Sequence, residues 1–272
     1  MRRASAPAKL NLALVVGPRR SDDRHEVATV LQRIDLVDRV SIATAATLEI
    51  SGFPQDTIVR DGLTMLADAA GVEPAWAVRL DKKIPVAAGL GGGSSDAATA
   101  LRLANKTLER PLAHAALLEL AATLGSDVPF FLEHGPQLAE GNGTTLSPLE
   151  LPQDFWVVLV LPSDCEKTST RLVYEEFDLR GGADGFEDRR AAVLEAITRI
   201  RRPRDLAALP ANDLATSSVA ADLVAMGAFR ADVTGAGPAV YGLFQRRSAA
   251  EAARAAFRRV GETWLTVPAW YG

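Results

Sequence analysis

The chain has 272 residues, 48% of them hydrophobic and 24% charged, enough for one large or two modest domains with proper cores. A formal net charge of −4 leaves no electrostatic footprint for nucleic acid, and the cluster Arg199, Arg201, Arg202, Arg204 reads as a solvated helix end. The single cysteine, Cys165, excludes an internal disulfide and a thiolate metal cluster, and reads as a small apolar residue in a reducing compartment.

His25, His114 and His134 have no metal-ligand spacing. Arg2-Arg3 precedes small and apolar residues, but Lys9 and Asn11 interrupt that run and no cleavage site follows. No segment approaches the roughly 18 apolar residues of a membrane span. The expectation is a cytoplasmic protein with no membrane partner.

In chain order, residues 4–17 alternate as a strand from Lys9 onward. Leu10, Leu12 and Leu14 are expected on one face, with Lys9, Asn11 and Ala13 on the other. Lysine and asparagine side by side suit a strand whose second face lines something polar. A charged loop over 18–24 leads to His25, and strand patterns follow at 27–36 and 39–51. Helical spacing over 58–70 stops at Gly71. A strand at 76–80 runs through Lys82-Lys83 into a glycine-rich stretch. Helices are expected at 95–108 and 113–124, with Gly125 as a stop. Gly125-Ser126-Asp127-Val128-Pro129-Phe130-Phe131 reads as the start of another short helix. Residues 136–148 form a hairpin pattern around Gly141-Asn142-Gly143.

Pro148 and Pro152 place a boundary near 150–154, dividing the chain into 1–150 and 151–272. Beyond it come a strand at 155–161, helical patterns at 168–177, 188–200 and 212–227, and a loop at 181–186. Strands at 230–234 and 240–244 bracket a second glycine turn, Gly235-Ala236-Gly237-Pro238. A helix at 248–259 and a strand at 263–267 complete a ferredoxin-like α+β order.

The chemistry concentrates in Pro85-Val86-Ala87-Ala88-Gly89-Leu90-Gly91-Gly92-Gly93-Ser94-Ser95-Asp96. Glycines admit positive φ and lack Cβ, so backbone N–H groups converge on one point. The helix that follows, with Ser94 or Ser95 as its N-cap, aims its positive dipole end at the same point. Together they make an anion site, most economically one for phosphate. It is not a P-loop, which needs Gly-Lys-Ser/Thr, nor a dinucleotide fingerprint, whose last glycine would fall on Ser94.

The Pro-x-x-x-Gly-Leu-Gly-Gly-Gly-Ser-Ser-Asp-Ala-Ala stretch resembles the ATP motif of the galactokinase, homoserine kinase, mevalonate kinase and phosphomevalonate kinase (GHMP) superfamily. Its triple-glycine form is similar to the 4-(cytidine 5′-diphospho)-2-C-methyl-D-erythritol kinase branch. The resemblance implies a two-domain α+β fold, with a ribosomal-protein-like N-terminal domain, a ferredoxin-like C-terminal domain and the active site in the cleft between them. It implies a Mg²⁺-ATP kinase phosphorylating the 2-hydroxyl of CDP-methylerythritol, as a monomer or weak homodimer. The run Pro85 to Ser95 would hold ATP, with Ser94 or Ser95 reaching Mg²⁺.

Gly-Ser-Asp-Val-Pro-Phe-Phe resembles the branch's Gly-Ala-Asp-Val-Pro-Phe-Phe, which makes Asp127 the base; by spacing alone it also fits a helix N-cap. Lys9 and Asn11 match Lys-x-Asn-Leu, Lys9 as the base's partner and Asn11 toward substrate; alone, Lys9 also reads as an edge-strand charge. Lys82 matches a lysine at the nucleotide edge, or equally a solvated Lys-Lys pair. Asp96 approaches the metal or complements the helix dipole. His25, Thr170 and Tyr174 match substrate contacts, and Gly235 and Gly237 belong to the third superfamily motif.

The chain departs from the branch at Asp23-Arg24 (for Gly-Tyr, so that an arginine plane replaces the stacking aromatic), at Asp56, at Asp61-Gly62 and at Ala236. Other readings are a superfamily kinase for another alcohol, a silent ligand-binding relative, or a decarboxylating relative, for which no arginine motif is present.

Overall fold

The computed structural model describes residues 1–53, 55–164 and 169–269; Cys165, and Thr168 at the start of one helical pattern, lie outside them. Strands β1 (Arg2–Arg19) and β2 (His25–Thr44) pair antiparallel along nearly their whole lengths. The two patterns expected at 27–36 and 39–51 are thus one long strand followed by a short β3 (Glu49–Ser51). The charged residues between them do not break β2, because β1 goes on pairing through Pro7–Val37 and Ala6–Asp38. The other edge of β2 is shared. There β5 (Gln137–Gly141) pairs with one half and β4 (Trp76–Asp81) with the other, while β3 joins β4 and β6 (Thr145–Pro148) closes the hairpin with β5.

One register shift matters for the site. Pairing slips between Asn11 and Ala13, and an extra residue in one strand turns every later side chain to the opposite face. Leu10, Leu12, Ala13 and Val15 therefore share one core, whereas Leu14 and Val16 pack with Val27 and Phe177 on the other side. Leu14 does not lie with Leu10 and Leu12 as plain alternation predicts, nor Ala13 with Lys9 and Asn11. Period-two reading has no means of seeing an inserted residue.

Helices α1 (Thr57–Ala70), α2 (Gly92–Asn105) and α3 (His114–Leu124) cover this sheet around Leu63, Leu66, Leu101 and Phe130. Asp56 accepts the Val59 N–H as the α1 cap, and Gly71 ends that helix in the left-handed region at φ +66°. A Cβ on Gly62 would lie 2.9 Å from Leu124 Cδ1, so glycine there lets α1 and α3 approach closely.

The second sheet has the order β10-β7-β9-β8, antiparallel throughout, formed by β7 (Trp156–Pro162), β8 (Arg230–Val233), β9 (Val240–Phe244) and β10 (Gly261–Thr266). Between β7 and β8 run α4 (Thr170–Leu179), α5 (Phe186–Arg199) and α6 (Ser218–Ala225); α7 (Arg247–Phe257) joins β9 to β10. This is the ferredoxin-like order.

The helix expected over 212–227 shortens to α6. Residues 212–217 are not helical because Asn212 is tied elsewhere, its N–H to Asp232 and its amide to the Val233 and Gly235 carbonyls. A 3₁₀ segment, Pro203–Ala208, is an addition that spacing did not show. The two sheets share a core in which Leu10, Leu12 and Ile34 meet Leu159, Val193 and Tyr241. Among the described residues no helix is long and apolar enough to cross a membrane.

Candidate active site

The outer edge of β1 is covered by loops, and these loops build the site. Lys9 N–H donates to the Leu90 carbonyl (2.9 Å), Asn11 N–H to Thr234 Oγ1 (3.1 Å), and Asp213 N–H to the Leu14 carbonyl (2.9 Å). Both glycine turns therefore hang on the strand that carries Lys9 and Asn11. They touch each other as well: Gly89 has φ +78°, and a Cβ there would sit 2.2 Å from the Thr234 carbonyl oxygen. A Cβ on Gly91 would fall 2.9 Å from Lys9 Cγ. Only glycine satisfies that backbone and that approach.

The start of α2 differs from the expectation. Gly91 is the N-cap and the helix begins at Gly92, so neither Ser94 nor Ser95 caps it. The amides of Gly92, Gly93 and Ser94 precede the first intrahelical bond, from Ser95 N–H to the Gly91 carbonyl (2.9 Å), and open the helix beside the loop, which preserves the anion-site logic.

Lys9 is only 3% exposed, which removes the edge-strand reading. Its Nζ lies 2.6 Å from Asn11 Oδ1 and 3.4 Å from Asp127 Oδ2. Asp127 does not cap the 3₁₀ turn Pro129–Leu132, whose N-cap is Val128 without a side-chain bond, and its carboxylate is about a third exposed (35%). The turn is held from behind by buried Arg33, which donates to the carbonyls of Phe130, Glu133 and Gly135. Burial, helped by the charge of Arg102, pulls this guanidinium down to about 10. Nothing in the local pattern around Arg33 marks that role.

Two cavities meet here. The smaller, about 270 Å³, is lined by Phe53, Asp56, Ile58, Lys82 and residues 84–94. The larger, about 900 Å³, is lined by Lys9, Asn11, His25, Asp127, Thr170, Tyr174 and Gly235 among others. Gly89, Gly91 and Ser94 line both, so the glycine loop is the wall between them. Ser95 and Gly237 line neither. The Ser95 hydroxyl is fully buried and has no hydrogen-bond partner among the described residues, and Gly237 packs against Val233.

Lys82 is not part of a solvated pair. Its ammonium sits between Asp38 and Asp96, both wholly buried, with Asp96 Oδ2 at 2.5 Å. Burial alone would lower the Lys82 pKa, but Asp96 and Asp38 outweigh it and hold the ammonium above its ordinary range. Asp38 also accepts the N–H groups of Lys83 and Ile84, and so anchors the start of the glycine loop. Asp96 lies past the first helical turn and points at Lys82 rather than complementing the dipole. Burial, partly offset by Lys82, pushes its carboxyl up to about 7.

At the far end of the larger cavity His25 Nε2 lies 2.8 Å from Asp178 Oδ1, and its ring packs on Tyr174 at 4.8 Å. Burial first, and the Asp127 charge second, push the Tyr174 phenol up to about 12.

Models of known families match in two places: the GHMP kinases N terminal domain over residues 57–135 and the GHMP kinases C terminal over 218–263. The chain is 39% identical to the 4-diphosphocytidyl-2-C-methyl-D-erythritol kinase of Anaeromyxobacter sp. (strain K), across 93% of this chain and 84% of the relative. It is 38% identical to the enzyme of that name from Pelobacter propionicus, across 92% of each chain. A crystal structure of 4-(cytidine 5′-diphospho)-2C-methyl-D-erythritol kinase superposes with a TM-score of 0.79 at 31% identity, covering 100% of both chains.

The chain belongs to the 4-diphosphocytidyl-2-C-methyl-D-erythritol kinase family.

A mevalonate kinase crystal structure, 13% identical with a TM-score of 0.78, shares the fold alone. As a GHMP kinase this chain takes ATP as phosphoryl donor and a small molecule as acceptor. Its departures from the family pattern now have places. Asp56 is spent on capping α1, Gly62 on helix packing, and Ala236 lines the larger cavity.

Proposed function

We propose that this kinase transfers the γ-phosphoryl group of ATP to the 2-hydroxyl of 4-diphosphocytidyl-2-C-methyl-D-erythritol, with Lys9 and Asp127 as its catalytic residues. The observation that carries this reading is the Lys9–Asp127 pair standing beside a glycine-loop wall common to both cavities. ATP occupies the smaller cavity with its phosphates along Gly89 to Ser94, and the acceptor occupies the larger. The acceptor oxygen bonds to the γ-phosphorus as the β,γ-bridging P–O bond breaks, and its proton passes to Asp127. A carboxylate is a far weaker base than an alkoxide, so the proton moves late and the carboxylate first orients the hydroxyl. Lys9, 3.4 Å from Asp127, offsets the charge that develops on the transferring group.

Among the described residues no cluster of three or more acidic, histidine or cysteine side chains exists to cage a metal. That donor set fits Mg²⁺, which keeps water and phosphate ligands and asks for one or two protein oxygens. Of the two candidate serines, Ser94 has access to both cavities; Asp127 faces the larger. Bound there, the ion would neutralise phosphate charge.

Asn11, His25, Thr170, Tyr174 and Gly235 would contact the acceptor, while Gly237 supports the turn. Residues 1–150 would form the ATP-binding domain and 151–272 the ferredoxin-like one, in a cytoplasmic monomer or weak homodimer.

The test is turnover by ³¹P NMR or coupled ADP detection with ATP and CDP-methylerythritol, beside homoserine and mevalonate. Phosphorylation of the first alone is expected. Preference for either of the others overturns the substrate. Asp127→Asn should keep the ATP Kd and lose about 10²–10⁴-fold in kcat; unchanged turnover would end the base assignment.

A further inference from the structure

The charges lining the larger cavity can be taken pair by pair. Asp127 has Lys9 at 3.4 Å, Asp23 has Arg19 at 3.3 Å, Glu175 has Arg171 at 2.7 Å and Asp178 has His25 at 2.8 Å. Arg24 is left over. Among the described residues no carboxylate forms an ion pair with its guanidinium, whose one side-chain hydrogen bond is to Ser126 Oγ at 3.4 Å. Asp22, whose charge it feels, is already engaged by Arg20, by Asn142 and by the Arg24 backbone N–H.

The backbone that carries the guanidinium is nevertheless held in place. The turn that carries it is closed by Arg20 N–H to the Arg24 carbonyl (2.7 Å) and pinned to the hairpin tip through Asn142 (3.0 Å). Asp23 takes the left-handed conformation, φ +63°, that this turn requires. A half-buried cation on a preformed turn, in a cavity whose described carboxylates each already have a partner, is poised for an anion that is not part of the protein.

Resting on the acceptor proposed above, we infer that Arg24 is a specificity-determining residue that binds the diphosphate of the acceptor. Its Ser126 contact is long and easily exchanged for a phosphate oxygen. Arg24 lines the same cavity as Asp127, whose neighbour Ser126 it contacts, and as His25 and Tyr174, so the guanidinium shares one space with the reacting end and the aromatic end. A nucleoside diphosphate ester, with its anionic linker between base and polyol, places charge there. The alternative use of arginine is as a plane on which the base stacks. The two uses are separable because lysine retains charge without a plane, and tyrosine a plane without charge.

The experiment compares wild type with Arg24→Ala, Arg24→Lys and Arg24→Tyr. Calorimetric Kd values for CDP and for cytidine are measured with a saturating non-hydrolysable ATP analogue on the donor side, alongside the KM of CDP-methylerythritol. Loss of the charge contact should raise the CDP Kd and the acceptor KM about tenfold in Arg24→Ala and Arg24→Tyr, with recovery in Arg24→Lys. Cytidine Kd and ATP KM should not move. Recovery by tyrosine rather than lysine, or a cytidine Kd that rises in step with that of CDP, overturns the inference in favour of stacking. Unchanged CDP affinity in all three variants overturns it outright. Failure of wild type to phosphorylate CDP-methylerythritol while binding CDP more tightly than cytidine would count against the substrate reading and not against Arg24.

Discussion

Asp96 shows how strongly one side chain can depend on depth. It has no exposure, one oxygen on Lys82 and the other without a partner among the described residues, and it shares that ammonium with Asp38. Two carboxylates around one cation leave a net negative charge in a poorly solvated place, so Asp96 is held up at about 7 while an unfolded chain would release its proton near 4. Between those values the native state binds a proton that the unfolded state does not. The resulting stability is complete below about pH 4 and is lost as pH rises through about 7. In urea titrations wild type should lose of order 1 kcal/mol between pH 5 and pH 8 that Asp96→Asn does not lose. Parallel pH profiles for the two proteins would show that Asp96 is ionised throughout. The Lys9–Asp127 pair differs because Asp127 keeps a third of its surface in solvent, which leaves room for an incoming hydroxyl.

Among the elements, the glycine loop carries the strictest steric demand. Gly89 and Gly71 have similar positive φ, +78° and +66°, yet a Cβ on Gly71 meets nothing within 4 Å while one on Gly89 strikes the Thr234 carbonyl at 2.2 Å. Backbone strain alone should make Gly71→Ala cost about 1 kcal/mol. Gly89→Ala must also push the two glycine turns apart, and should cost about 2 kcal/mol or more. It should also raise the KM for ATP, whereas Gly71→Ala leaves it unchanged. Equal urea midpoints for the two variants would show that the turns are not in contact. The β1 bulge works at the same scale: by turning Leu14 toward the larger cavity it reshapes the wall beside Asn11.

For the molecule as a whole, the question is whether its two sheets can part. Leu10, Leu12, Ala13 and Val15 of the first pack against Leu159, Tyr241 and Leu243 of the second, and Tyr241 is completely buried. A fragment of residues 1–150 would expose that face, so it should aggregate or bind a hydrophobic dye without a cooperative melt, while the full chain unfolds in one transition. A cooperative melt of the isolated fragment would show that the shared core is dispensable. The same union places the larger cavity between Lys9 and Asp127 on one side and Thr170, Tyr174 and Gly235 on the other.

Local chemistry was legible along the chain. The glycine run, the Gly71 stop, the hairpin tip at 141–143 and the strand–helix order of the second half depend on neighbours a few residues apart, and spacing records those directly. Resemblance supplied the roles proposed for Lys9 and Asp127, which alternation alone left as an edge charge and a helix cap. The Asp38 tether lies 44 residues from Lys82 and the Arg33 clamp 97 residues from Phe130, and no local pattern marks either. The same holds for the choice of Ser94 over Ser95, the inward turn of Leu14 and the unmatched charge of Arg24. Burial, register and ion pairing are set by strands that pair across long separations, so these features come into being only when the chain closes on itself.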